Sequence, residues 1–256
     1  MKAVILHSGG LDSTTLIGQA IEEGAEEVLL VSVKYGSLHN DAEALAAHQI
    51  LEWYREEGIV SIDRVELELP GTIFSGGKSA LMGEISMPKM TYKEIQESAG
   101  PSPTVVPFRN ANLLSIATSI ADSRGFDFVY IGAHADDAHE WAYPDCTPEF
   151  LGAMANAIFI GTYQKVRLVF PFIWMTKGQI VSRAVEIGVP LGMTWSCYSP
   201  RYDGDHYIHC GECPTCIERA NAFAEAGFVD PTEYNNGLEY VLDGYSLDDL
   251  EEWPYE

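Results

Sequence analysis

The chain has 256 residues, 46% of them hydrophobic, enough for one generous core with a small appendage. Its 38 Asp and Glu against 15 Lys and Arg give a formal net charge of −23, a field that repels polyphosphates and argues against duplex DNA or bulk RNA as a partner. No stretch reaches the roughly 18 apolar residues of a membrane span, and the apolar run after Lys2 is too short for a secretory leader, so no membrane contact and a cytoplasmic location are expected. In chain order, residues 2–6 (KAVIL) predict a strand and 12–23 carry apolar positions at helical spacing. Residues 27–34 (EVLLVSVK) are a nearly continuous apolar run, 41–57 show helical periodicity behind Asp41, and 59–69 alternate like a strand. Residues 70–107 are rich in Gly, Ser and Pro and read as a long irregular excursion, the form taken by lids and insertions. A helix at 111–123, a strand at 127–132, a helix at 148–160, a strand at 166–170 and a helix at 176–187 follow. This alternation predicts an α/β fold, a Rossmann-like parallel sheet with helices on both faces. From residue 191 the pattern changes to an aromatic and polar loop, clustered cysteines and a short helix at 214–227. The expected division is 1–190 for the α/β domain and 191–256 for a C-terminal subdomain.

The first strand stops at Ser8-Gly9-Gly10-Leu11-Asp12-Ser13-Thr14. In an open α/β sheet that carboxyl-end position is where ligands bind. Two glycines let the main chain approach a ligand closely, and the free N–H groups of a helix start favour phosphate even against an acidic overall charge. Ser8, Ser13, Thr14 and Thr15 can add hydroxyl donors. A tight turn with Asp12 or Ser13 as N-cap would explain the same residues without a ligand. The string lacks the spacing of the Walker loop and of G-x-G-x-x-G. SGGLDST instead resembles the SGGxDS signature of the PP-loop, N-type ATP pyrophosphatases, which cleave ATP between its α and β phosphates.

Four of five cysteines, Cys197, Cys210, Cys213 and Cys216, follow the spacing C-x12-C-x2-C-x2-C. Four thiolates at about 2.3 Å close a tetrahedral Zn²⁺ site and leave no open position, which implies a structural metal; an iron–sulfur cluster is the alternative. His206 and His209 stand nearby, and Cys146 stands apart.

The stretches "TWSCY", "HCGECPTCIERANAFAEAGFVDPTEY", "YPDCTPEF", "MTKGQIV", "YGSLH" and "VVPFRNANLLSIA" resemble the 7-cyano-7-deazaguanine synthase (QueC) family of the queuosine pathway, from residue 3 to about 234. The resemblance implies an ATP-dependent conversion of 7-carboxy-7-deazaguanine and ammonia to 7-cyano-7-deazaguanine through adenylated acid and amide intermediates. It also implies Mg²⁺ with the ATP, structural Zn²⁺ on the four cysteines and a homodimer. Carried over by residue, His7, Ser8, Gly9, Gly10, Leu11, Asp12, Ser13, Thr14, Thr15, Leu16 and Ile17 form the ATP loop. Asp12, Ser13, Arg109 and Lys177 are the candidates for catalysis. Arg109, Asn110, Asp136, Asp137, Tyr143, Pro144 and Asp145 are the candidates for substrate binding, Asp145 because a carboxylate accepts the N–H donors of a deazaguanine. A Pro-Asp turn explains Asp145 equally, and Lys177 also suits a helix start on the surface. The run His134-Ala-Asp136-Asp137-Ala-His139-Glu140 offers metal ligands, but its histidines are five apart and off a common helical face, so substrate contact is preferred.

Two positions depart from the family pattern: Phe108 where Gly is common and Thr147 where Arg is common. If both lie in the substrate pocket, the chain could stop at the amide. Another PP-loop amide-forming ligase is a rival. A zinc-bearing nucleic-acid binder is disfavoured, because residues 197–234 hold only Arg201 and Arg219 as cations.

Overall fold

The computed structural model describes residues 1–89, 94, 102–139 and 142–255. Parts of the predicted excursion (90–93 and 95–101) and Glu140 lie outside the described residues. Strands β1 (Lys2–Leu6), β2 (Glu27–Lys34), β3 (Ser61–Glu68), β4 (Phe128–Tyr130) and β5 (Arg167–Val169) form one parallel sheet in the order β3-β2-β1-β4-β5. The chain moves outward from β1 to β3 on one side, then returns to place β4 on the other. The switch point therefore lies between β1 and β4, at their carboxyl ends.

The strands are apolar along their length because both sheet faces are covered. Ala3, Ile5, Val28 and Leu30 face a core completed by Leu16 and Ile17 of α1 (Leu11–Glu22), Ile50 and Tyr54 of α2 (Asn40–Glu57), and Ile180 and Val181 further on. Val4, Leu6, Leu29 and Val31 face the opposite core, with Leu114 and Ala117 of α3 (Arg109–Arg124). Beyond the four-residue α4 (Ala135–Ala138), α5 (Pro148–Gly161) adds Leu151 and Ile158 to that face. The helix of Ile180 is α6 (Lys177–Glu186), which opens on a capping box between Thr176 and Gln179.

The excursion after β3 contains two short 3-10 turns, Gly71–Ile73 and Ala80–Met82, and packs Phe74, Leu81 and Val106 against Tyr35 as a small satellite core. The C-terminal segment contains α7 (Pro214–Ala226) and an antiparallel ribbon of Arg201–Tyr202 with Tyr207–Ile208, strands too short to predict from the sequence. Ala222 and Phe223 of α7 join the first core, so the cysteine helix is packed onto the sheet domain. No helix among the described residues is long and apolar enough to cross a membrane.

Candidate active site

Gly9 has φ +85°, and a Cβ there would stand 2.7 Å from both Ala47 N and Glu43 O. Only glycine fits where α2 lies directly against the loop. Gly10 caps α1 without a side-chain hydrogen bond, which leaves the first-turn amides for a ligand. The loop is braced internally. Ser13 Oγ donates to Gly10 O at 3.1 Å and accepts from Ser8 N at 3.3 Å, and Thr14 Oγ1 donates to Gly10 O at 2.8 Å. With its proton committed there, Thr14 Oγ1 accepts from His7 Nε2 at 3.2 Å. Thr15 Oγ1 donates to Leu11 O. The hydroxyls of Thr14 and Thr15, expected as ligand donors, donate to the backbone and brace the loop. Leu11, Leu16 and Ile17 lie in the core, although they belong to the same motif.

Two cavities open over the carboxyl ends of β1, β2 and β4, of about 240 and 150 Å³. Both are lined by Ser8, Asp12, Arg109, Asn110 and Asp137, so they meet at the loop. Lys34, Arg64, Arg109 and Lys177 all line the larger one, which gathers four of the chain's 15 basic side chains and offsets the acidic field locally.

At the junction, Lys177 Nζ donates to Asp12 Oδ2 at 2.6 Å and lies 3.2 Å from His134 Nε2 and 3.7 Å from Glu218 Oε2. Burial alone would raise the Asp12 carboxyl, but Lys177 and His134 outweigh it and hold it below its ordinary value. Burial likewise works against the Lys177 charge, and Asp12, Glu218 and Asp137 more than restore it. His134, Asp137 and Glu218 bring ligand atoms within 4.8 Å of one another, yet the Lys177 ammonium already stands among these acids.

Arg109 Nη1 donates to Tyr35 OH at 3.1 Å. Asn110 N donates to Asp145 Oδ2 at 2.9 Å, and its side chain reaches Asp145 O and Cys146 Sγ. Asp145 therefore caps α3. It lines neither cavity, and neither do Tyr143, Pro144 or Asp136. Tyr143 OH bonds Thr104, Pro144 is exposed, and Asp136 Oδ2 accepts from Lys177 N. The sequence reading placed all four against substrate; here Tyr143, Asp145 and Asp136 have partners 35 to 41 residues away along the chain.

Phe108 and Thr147 also line neither cavity. Thr147 is the N-cap of α5, accepting from Phe150 N. Phe108 is 66% exposed, sits at φ +55° and meets the edge of Phe150. A left-handed non-glycine residue carries backbone strain. Phe108→Gly is expected to leave the product pattern unchanged and to raise stability by at most about 1 kcal/mol. Urea unfolding with mass spectrometry of products checks both, and a changed product ratio would return Phe108 to the pocket.

Sequence reasoning missed Glu43, Arg64 and Glu218 in the larger cavity; each resembles an ordinary surface charge on its helix or strand. Burial raises Glu43 to about 8 despite Arg109. Burial, helped by Arg64, lowers His7 to about 3, and burial with Arg109 lowers His39 to about 3. Folded, both imidazoles stay neutral where the unfolded chain protonates them below its value of 6.5. Their contribution is complete above pH 6.5 and is lost as pH falls toward 3. By pH 4.5 each should cost about 2–3 kcal/mol of stability. His39→Gln should flatten the loss between pH 7 and pH 4.5 by that amount in urea titrations; an unchanged slope would contradict the burial argument.

The four cysteines are buried, with Sγ atoms within 4.8 Å of one another. Cys213 Sγ lies 3.4 Å from Cys216 Sγ and 3.9 Å from Cys197 Sγ, and Cys210 Sγ 3.9 Å from Cys216 Sγ. Backbone N–H groups of Ser199 and Cys210 point at Cys197 Sγ, and those of Glu212 and Cys213 at Cys210 Sγ, which suits thiolates. The group could hold a metal.

A glycine loop at the switch point of a parallel sheet, with a half-buried lysine and aspartate paired beside it, puts the chain in the class of Rossmann-like α/β folds whose site lies at the carboxyl ends of the strands. A family model described as queuosine biosynthesis protein QueC matches residues 2–227. Among curated relatives named 7-cyano-7-deazaguanine synthase, that of Thermoplasma volcanium is 38% identical over 93% of this chain and 93% of its own. Those of Marinomonas sp. and Methanoculleus marisnigri are 37% and 39% identical, each over 91% of this chain and 98% of its own. The chain belongs to the QueC family and is an enzyme of it.

Proposed function

We propose that the chain converts 7-carboxy-7-deazaguanine and ammonia to 7-cyano-7-deazaguanine, consuming ATP and releasing AMP and pyrophosphate. The observation that carries this reading is the junction of two cavities at Ser8, Asp12, Arg109 and Asn110. One lobe takes the nucleotide and the other the acid, so that the α-phosphate meets the substrate carboxylate at the loop. A carboxylate resists amines until its oxygen becomes part of a good leaving group. Adenylation supplies that group, ammonia displaces AMP, and the amide oxygen is adenylated and expelled in turn. Holding the reactants together and stabilising phosphoryl charge are then the main tasks. Loop amides, Lys177 and Arg109 perform them, and ATP brings Mg²⁺ to neutralise phosphate oxygens. Residues 1–190 supply the loop, Arg109 and Lys177 for this chemistry, and Tyr198, Thr215 and Glu218 complete the lining of the larger cavity.

Residues 191–256 hold structural zinc in this proposal. A tetrahedron with about 2.3 Å Zn–S bonds has S···S edges of about 3.8 Å, close to the 3.4–3.9 Å contacts here. A cubane, in which each thiolate serves a different iron, needs wider spacing. A cytoplasmic homodimer without a nucleic-acid partner completes the reading, supported by the family resemblance and the net charge.

The test incubates pure protein with ATP, Mg²⁺, ammonium and the 7-carboxy base and follows AMP, amide and nitrile by mass spectrometry. AMP with nitrile is expected. Amide alone would indicate a truncated reaction, adenylation only of other acids a different ligase, and absence of AMP would end the proposal.

A further inference from the structure

We propose that Glu218 is the positioning residue for Lys177, and that it links metal binding at the four cysteines to nucleotide binding at the glycine loop. This rests on the ATP reading above. Cys216 and Glu218 are two residues apart on α7 and so project roughly 200° apart around its axis. The cysteine faces the sulfur group, while Glu218 reaches Lys177 Nζ at 3.7 Å with only 10% of its side chain exposed. Glu218 Oε1 is buried with no hydrogen-bond partner among the described residues. The helix is pressed close to that of Lys177: a Cβ on Gly178 would lie 2.5 Å from Glu225 Cδ, and Thr176 Oγ1 donates to Glu225 Oε1 at 3.0 Å.

A second link runs from the other side of the cysteine group. Trp195 N donates to Gly9 O at 2.8 Å. The Trp195 ring lies 4.0 Å from that of His209, whose Nε2 accepts from Ser196 N. The glycine loop is thus held by one residue two positions before Cys197 and faced by another two positions after Cys216. No disulfide joins the two segments, so a metal on the four sulfurs would fix their spacing. To reach a phosphate, Lys177 must leave Asp12. Glu218 keeps the ammonium at the loop as it does so, and the position of Glu218 depends on α7. Coupling of this kind is reciprocal: if the metal orders the nucleotide site, nucleotide must tighten metal binding by the same factor, which shows as slower loss of the metal when its association rate is unchanged.

The experiment follows metal release from the holoprotein to a coloured chelator, with and without a non-cleavable α,β-methylene ATP analogue. Binding of the analogue is measured on the same samples by calorimetry. Release from the natural chain should slow by about fivefold or more when the analogue is bound. Glu218→Gln should keep one metal per chain, reduce the slowing to less than about twofold and raise the KM for ATP more than it lowers kcat; Glu218→Asp should restore part of the effect. Equal acceleration of release with and without analogue in Glu218→Gln would show a merely structural role and overturn the proposal. Analogue binding with no effect on release in the natural chain would overturn the linkage alone, and no binding would overturn it together with the ATP reading. If Glu218→Gln does not fold, the natural chain and Glu218→Asp decide.

Discussion

Lys177→Met is expected to lower kcat/KM for AMP formation by about 10² to 10³ while the chain stays folded. Lys177 is 13% exposed and is the only ammonium among the described residues in contact with Asp12. Its point charge stands beside the amides where phosphoryl charge must develop in an adenylyl transfer. In a partly dry cleft such a charge is worth far more than on the surface, because less water screens it. Methionine keeps the volume and removes the charge. Asp12 then loses the stronger of the two partners, Lys177 and His134, that hold its carboxyl below the ordinary value, and burial, its largest single influence, pushes it upward. Protonation of Asp12, which keeps 22% of its side chain exposed, relieves the unpaired charge, so stability falls far less than activity. Lys177→Arg should recover only part of the rate, since a planar guanidinium does not reproduce a compact ammonium. Steady-state AMP release with circular dichroism of each variant checks this. A loss of less than tenfold in Lys177→Met would remove the lysine from the chemistry.

The sheet was legible in the sequence because its signal is local. A run such as EVLLVSVK has no polar alternation, and only a strand covered on both faces needs that; the structure gives Glu27–Lys34 as β2. The glycine loop was legible for the same reason, since Ser8 to Thr14 contact one another. The rest of the site depends on contacts distant along the chain. Asp145 meets the Asn110 amide 35 residues away, so a motif match assigns it to substrate when its Oδ2 is already committed. Glu43 and Glu218 read as solvated helix acids because helical spacing does not show what packs against that face. Phe108 and Thr147 reverse the lesson: two departures from a family pattern looked like pocket changes and proved to be an exposed ring and a helix cap. Arg219, which the sequence shows only as one of two cations in residues 197–234, is 0% exposed.

Arg219→Met should therefore destabilise the fold by about 3–5 kcal/mol, the range found when one partner of a buried ion pair is removed. Arg219 Nε donates to both oxygens of Asp230, at 2.9 and 3.2 Å; Nη1 donates to Thr194 Oγ1 and Ser196 Oγ, and Nη2 to Leu191 O. The guanidinium also faces the Phe223 ring at 5.1 Å. Asp230 in turn accepts from Tyr234 OH and Thr232 N. One side chain of α7 thereby ties the 191–196 segment, which leads to the glycine loop, to the segment after the helix. Without the arginine, the Asp230 carboxylate is left buried among two donors and no cation. Substituting both partners, Arg219→Met with Asp230→Asn, should cost less than Arg219→Met alone, because the remaining buried charge goes with the second change. Urea titrations of the three variants give the comparison. Screening separates this pair from a surface one: about 0.5 M salt weakens exposed ion pairs and leaves a dry pair nearly untouched. A difference between Arg219→Met and the natural chain that disappears in salt would show that the pair is wet, and the account of α7 as anchored through Arg219 would be wrong.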